Sequence, residues 1–177
     1  MAILDILIWP DPRLSKVAAK VEAFDEELAQ FADDLLETMY EADGVGLAAT
    51  QVGVDKRIVV VDIYGAETDR PSGEEPMIIV NPEFIEKEGE LTWEEGCLSV
   101  PGEVGNVTRA ARVKMRYFDL QGSEHVIEAE GLKAVALQHE CDHLDGKVFV
   151  EYLSRMKRGV IKRKMLKLIA EKEEAAA

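Results

Sequence analysis

Leu132-Lys-Ala-Val-Ala-Leu-Gln-His-Glu-Cys-Asp-His-Leu144 is the stretch on which the fold turns. It reads as a helix of about 132–144, with Gly146 placed to end it. His139 and His143 are four residues apart and share one helical face, so both imidazoles can reach a single metal ion. Glu140 follows His139 directly. It can sit beside solvent on such an ion without being a ligand, and accept a proton from it. Cys141 projects from the far side of the helix and reads as a small buried apolar residue.

Working outward, Asp25 is a candidate N-cap for a helix over about 25–42, in which Leu28, Phe31, Leu35 and Met39 recur at helical spacing until Asp43-Gly44 stops it. Arg57–Tyr64, Met77–Val80 and Val113–Phe118 are β-branched and apolar and predict strands. Between the first two, Pro71–Pro76 is polar, holds two prolines and a glycine, and reads as an exposed loop. A last helix is expected over about 153–174, with Leu153, Met156, Val160, Ile161, Met165 and Leu168 as an apolar stripe. Strands in the middle and helices towards both ends imply an α+β fold with a largely antiparallel sheet.

A catalytic metal wants a third protein ligand and an open position. The extended peptidase pattern H-E-x-x-H-x-x-G-x-x-H is followed as far as Gly146, but Phe149 occupies the last histidine position. Glu151 lies too soon after His143, and Glu171 sits in a basic tail. Two candidates remain. His125, in Gly122-Ser-Glu-His-Val, reads as a solvated or hydrogen-bonded strand residue. Cys97, in Glu94-Glu-Gly-Cys-Leu-Ser-Val-Pro101, follows a glycine that permits close backbone approach, and is the better fit to the missing ligand. Gly44-Val-Gly-Leu-Ala-Ala-Thr-Gln51 adds a small-residue segment against which another backbone can lie, with the Gln51 amide as a donor. It matches neither phosphate-binding glycine pattern.

Taken together, Gly44–Gln51, Glu95–Ser99 and Gln138–His143 resemble, in order and spacing, the G-φ-G-φ-A-A-x-Q, E-G-C-φ-S and Q-H-E-x-D-H motifs of the peptide deformylase family. The resemblance implies an α+β unit with mostly antiparallel sheets around a central metal-binding helix, followed by a C-terminal helix. It implies that Cys97, His139 and His143 hold one divalent metal, ferrous iron, with zinc, nickel or cobalt as substitutes, and that Glu140 is the general base. Gln51 and the backbone N–H of Leu98 would stabilise the oxyanion. The reaction implied is hydrolysis of the N-formyl group from formyl-methionyl peptides, with release of formate. Substrate would lie extended between Val45-Gly46 and Glu95-Gly96, with Val45, Leu132 and Val135 around the methionine side chain. Some members carry a basic residue seven positions after the metal cysteine; here Val104 stands there, with Arg109 further on.

The 177 residues, 47% hydrophobic and 32% charged, fit one globular domain. Net charge is -14, which argues against a surface built to grip nucleic acid; no DNA partner is expected. The charge is uneven, with eight bases and four acids in residues 151–177 and the acidic excess entirely before them. Residues 1–150 are therefore expected to form a catalytic metallohydrolase domain, and 151–177 a basic C-terminal helix packed on or extending from it. Such a helix suits docking on the ribosome, from which nascent formylated substrate emerges. Two cysteines exclude a disulfide scaffold, and no run spans a bilayer, so no membrane partner is expected. The first ten residues lack a basic n-region and carry Asp5 within the apolar stretch, which points to a cytoplasmic protein rather than a secreted one; the formylated initiation that the resemblance implies points to bacteria or a bacterium-derived compartment.

Overall fold

The computed structural model describes residues 2–65 and 69–177. Among the described residues, helices α1 (Glu26–Glu41), α2 (Gly131–Leu144) and α3 (Arg155–Ala176) accompany seven strands. These are β1 (Gly46–Ala48), β2 (Ile58–Val61), β3 (Met77–Glu88), β4 (Leu91–Cys97), β5 (Val100–Arg109), β6 (Arg112–Phe118) and β7 (Glu124–Glu130). They form a five-stranded sheet in the order β1-β2-β3-β6-β7 and a separate hairpin, β4-β5, with every pairing antiparallel.

Strand β2 explains the layering. All four of its residues are buried, because both faces of the sheet are covered there. Ile58 and Val60 pack towards α1, beside Leu28, Ala32, Leu35 and Met39. Val59 and Val61 pack towards α2, beside Leu137, Cys141 and Leu144. The period of two along the strand thus assigns alternate residues to two different helices. Helix α1 begins where the cap predicts, with Asp25 Oδ1 accepting from the Leu28 N–H at 3.0 Å, and with Glu26 and Glu27 favourable at the positive end of the helix dipole.

Helix α2 is buried on nearly all sides, as a helix clamped between two layers must be. One side rests on the five-stranded sheet. The other faces a second apolar cluster of Val100, Val107, Phe149, Val150, Leu153, Ile161 and Met165 drawn from β5, the 3-10 turn Phe149–Tyr152 and α3. Both metal-ligand candidates of the helix therefore sit between layers, away from bulk water. No helix among the described residues is long and apolar enough to cross a membrane.

The structure differs from the sequence reading in several places. β2 stops at Val61 rather than Tyr64, because Asp62 turns the chain by accepting the Tyr64 N–H. β3 runs on to Glu88 instead of ending at Val80. Asn81, at φ +50°, and Pro82 interrupt its register with a bulge without terminating it, and the Asn81 amide bonds both the N–H and the C=O of Val21. Helix α3 starts at Arg155, after the Ser154 cap, so Leu153 precedes it; Met156, expected in its apolar stripe, is 82% exposed, while Ile161 and Met165 are buried.

Candidate metal centre

Three segments converge on the outward face of α2. β4 delivers Cys97 at its last position, just before the two-residue turn Leu98–Ser99 into β5. Helix α2 delivers His139 and His143, whose Nε2 atoms stand 3.2 Å apart, with Cys97 Sγ 3.4 Å from His143 Nε2. One ligand atom from each of the three lies within 4.8 Å of the others. Tetrahedral donors around a zinc-sized ion, at their usual bond lengths, stand about 3.3–3.6 Å apart, so the cluster has the dimensions of a Cys-His-His metal site. His125 is far from this role. On the surface it meets Asp119 Oδ2 at 2.7 Å and stacks on Tyr117.

The donor set also fits a cation electrostatically. Burial works against charge on His139, yet hydrogen bonds with Cys97 and Glu95 outweigh it and hold its pKa well above the ordinary value. Burial, then the neighbouring His139, pushes the pKa of His143 well below its ordinary value, so that ring stays neutral. The cluster thus favours one positive charge and leaves a neutral imidazole facing it.

Glu95, which the resemblance implies as a substrate-groove residue, is also bonded to a metal-ligand candidate. It is among the residues around the groove that opens over the cluster, but its buried carboxylate turns inward. His139 Nδ1 meets its Oε1 at 2.8 Å, and Arg109 grips it through Nε to Oε2 at 2.6 Å and Nη2 to Oε1 at 2.9 Å. Arg109 Nη1 also donates to Asp142 Oδ2 at 2.8 Å. Burial raises the Glu95 pKa, but hydrogen bonds from His139 and Arg109 outweigh it and leave it lowered. Arg109 is accordingly buried in an ion network, not free at a substrate-facing position. A carboxylate behind a histidine fixes the ring and leaves the other nitrogen's lone pair for a metal. Of the two further members, Asp142 stands within the Gln138–His143 motif, whereas Arg109 lies outside every predicted element, and nothing in the sequence signals that the two pair.

Glu140 is buried beside His139, with Oε1 3.8 Å from Nε2, and Oε2 has no hydrogen-bond partner among the described residues. Burial pushes its pKa up to about 7, the range in which a carboxylate can both take and return a proton near neutrality. Gly46 makes this placement possible, since a Cβ there would lie 2.6 Å from Glu140 Oε1. Gln51, in the 3-10 turn Ala49–Val52, accepts the Ala48 N–H at Oε1. Its Nε2 donates to Ser99 Oγ at 3.0 Å and to Cys97 Sγ at 3.4 Å. Its neighbour Thr50 donates to the His143 carbonyl, so this turn is tied to both the sulfur and the helix.

A groove of about 540 Å³ opens over the cluster. Val45, Gly46, Glu95, Gly96, Leu98, Leu132 and Val135 line it, together with Cys97, His139 and Glu140; Gln51 and His143 lie behind. It runs between the segment leading into β1 and the hairpin strand β4, with Val135 buried at its floor and Val45 41% exposed at its rim.

A family model described as polypeptide deformylase matches residues 3–159. The chain is 53% identical over 169 residues to the peptide deformylase of Alkalilimnicola ehrlichii, covering 96% of this chain and 92% of that one. It is likewise 53% identical over 167 residues to the peptide deformylase of Chromobacterium violaceum, covering 94% and 96%. Among solved structures, a peptide deformylase from Legionella pneumophila superposes with a TM-score of 0.89 at 46% identity, over 97% of this chain and 98% of that one. The Ehrlichia chaffeensis enzyme in complex with actinonin gives 0.88 at 40% identity, over 94% and 98%.

Proposed function

This chain belongs to the peptide deformylase family, and from that premise we propose how its residues divide the work. It is a hydrolase that removes the formyl group from N-formyl-methionyl peptides and releases formate, and it depends on a metal cofactor. The relatives from Alkalilimnicola ehrlichii and Chromobacterium violaceum are bacterial.

Cys97, His139 and His143 hold the ion, which we take to be ferrous iron, with zinc, nickel or cobalt able to replace it. When bound, the ion supplies Lewis acidity, polarising the formyl carbonyl and acidifying a water molecule. Glu140 takes the proton from the attacking water and returns it to the departing amine. Its raised pKa and its unpartnered Oε2 support that role. Gln51 Nε2 and the Leu98 N–H donate to the oxygen that gains charge, an effect worth about 3 kcal/mol per donor. The peptide lies extended in the groove against Gly46 and the Glu95-Gly96 backbone, so backbone bonds hold it with little demand on sequence. Val45, Leu132 and Val135 receive the methionine side chain. A formyl group is the smallest acyl group, so a crowded site can admit it while excluding larger amides.

The observation that carries this assignment is the meeting of Sγ and two Nε2 atoms beside a buried, unpartnered carboxylate. Glu140→Gln tests it. Formate release should fall by about 10²-fold or more while the bound metal is retained. Unchanged turnover would remove Glu140 from the reaction.

We further propose that residues 1–150 carry the catalysis in the bacterial cytoplasm and that α3 docks on the ribosome. Its Arg155, Lys157, Lys162, Arg163, Lys164 and Lys167 are exposed. A Lys162→Glu, Arg163→Glu, Lys167→Glu variant should lose salt-sensitive co-sedimentation with ribosomes; undiminished binding would exclude this face.

A further inference from the structure

Tyr152 ends the 3-10 turn that leads into α3, and its ring is half exposed. Its hydroxyl nonetheless donates to Asp142 Oδ2 at 2.7 Å, the same oxygen that receives Arg109 Nη1 at 2.8 Å. The Arg109 guanidinium also lies over the Tyr152 ring, 5.1 Å from its centroid. Tyr152 therefore holds Arg109 in two ways. It fixes the carboxylate that the guanidinium bonds, and it covers the cationic face against water. The remaining guanidinium nitrogens clasp Glu95, which holds His139 Nδ1.

From this unbroken chain we infer that Tyr152 is a positioning residue for His139, acting through Asp142, Arg109 and Glu95 to set the ring's orientation and so the firmness with which the metal is held. The inference rests on His139 being a ligand, as proposed above. A phenol hydroxyl on a half-exposed ring is dispensable for the apolar core, whose contribution here comes from Phe149, Val150 and Leu153 of the same region. What the hydroxyl adds is direction. Without it, Asp142 can rotate, Arg109 gains freedom, and the carboxylate behind His139 is no longer pinned on its far side.

The experiment compares the intact parent protein with Tyr152→Phe, Tyr152→Leu and His139→Ala. It follows the rate of cobalt release to a chelator, the visible absorption of the cobalt-loaded protein and the thermal midpoint. Tyr152→Phe keeps the ring's volume and should release cobalt about tenfold faster, with a shifted absorption band; Tyr152→Leu, which also uncovers Arg109, should release it faster still. If the parent and Tyr152→Phe share one release rate and one spectrum, the relay is wrong, whatever happens to the thermal midpoint. His139→Ala separates the two levels. If it loses cobalt while Tyr152→Phe behaves as the parent, only the relay fails. If it holds cobalt as firmly as the parent, the ligand assignment fails and takes the relay with it.

Discussion

Glu95 Oε1 accepts from His139 Nδ1 at 2.8 Å while the same carboxylate is clasped by the buried Arg109. A hydrogen bond to a negative partner makes the opposite ring nitrogen a better donor to a metal and fixes which nitrogen faces it. Glu95→Gln retains an oxygen for His139 but removes the charge and leaves Arg109 without its principal anion. Metal affinity should fall about 10- to 100-fold, read by chelator competition. An unchanged affinity would mean that the pair serves only packing.

Gly46 and Glu140 are in near contact, and the glycine is what lets them be. In Gly46→Ala the new methyl would stand 2.6 Å from Oε1 and 2.7 Å from Cγ of Glu140, so the carboxylate must move. Because correctly placed general acid–base groups contribute about 10²–10⁴-fold, kcat should drop at least tenfold with the metal content unchanged. Steady-state kinetics beside elemental analysis would show it. A normal kcat would mean that Glu140 tolerates displacement, which a proton-transferring group should not.

Alkaline stability should report on Tyr40. Burial, and then its 2.6 Å hydrogen bond to Asp62, push its pKa up to about 12. Because the folded state favours the neutral phenol, this contribution is complete below the unfolded value near 10 and is lost as pH rises through about 12. Tyr40→Phe should be less stable than the parent at neutral pH, by about 1 kcal/mol for the lost hydrogen bond, and should lose stability less steeply above about pH 10. Denaturant unfolding across that range measures both. Equal alkaline slopes would dissociate Tyr40 from the transition.

The elements that were legible in the sequence are those whose signals are local. Asp25 caps α1 as its spacing predicts, and the periodic run 132–144 is α2 almost to the residue. The long hairpin β4-β5 was not legible as such. Its alternate residues face solvent, and its glycines and Pro101 imitate a loop, so only the pairing of Glu95 with Gly105 and Thr92 with Thr108 reveals it. Cys97, His139 and Glu140 could be read because motif spacing carries them. Asp142 stands in the same motif, but its link to Arg109 and Tyr152 could not be read, since nothing local marks side chains that meet only when a strand, a helix and a turn pack together. The inward turn of Glu95 belongs to the same class. Its neighbour Gly96 suggested backbone access, and only the tertiary fold puts an imidazole and a guanidinium against its side chain.

The central claim is that one sulfur and two imidazole nitrogens, from β4 and from α2, surround one ion. X-ray absorption at the zinc edge of the zinc-loaded protein tests it most directly. The account predicts a sulfur scatterer at about 2.3 Å and nitrogens at about 2.0–2.1 Å, with the sulfur signal absent from Cys97→Ser. A shell of nitrogen and oxygen alone in the parent protein, or a sulfur signal that survives in Cys97→Ser, would contradict it.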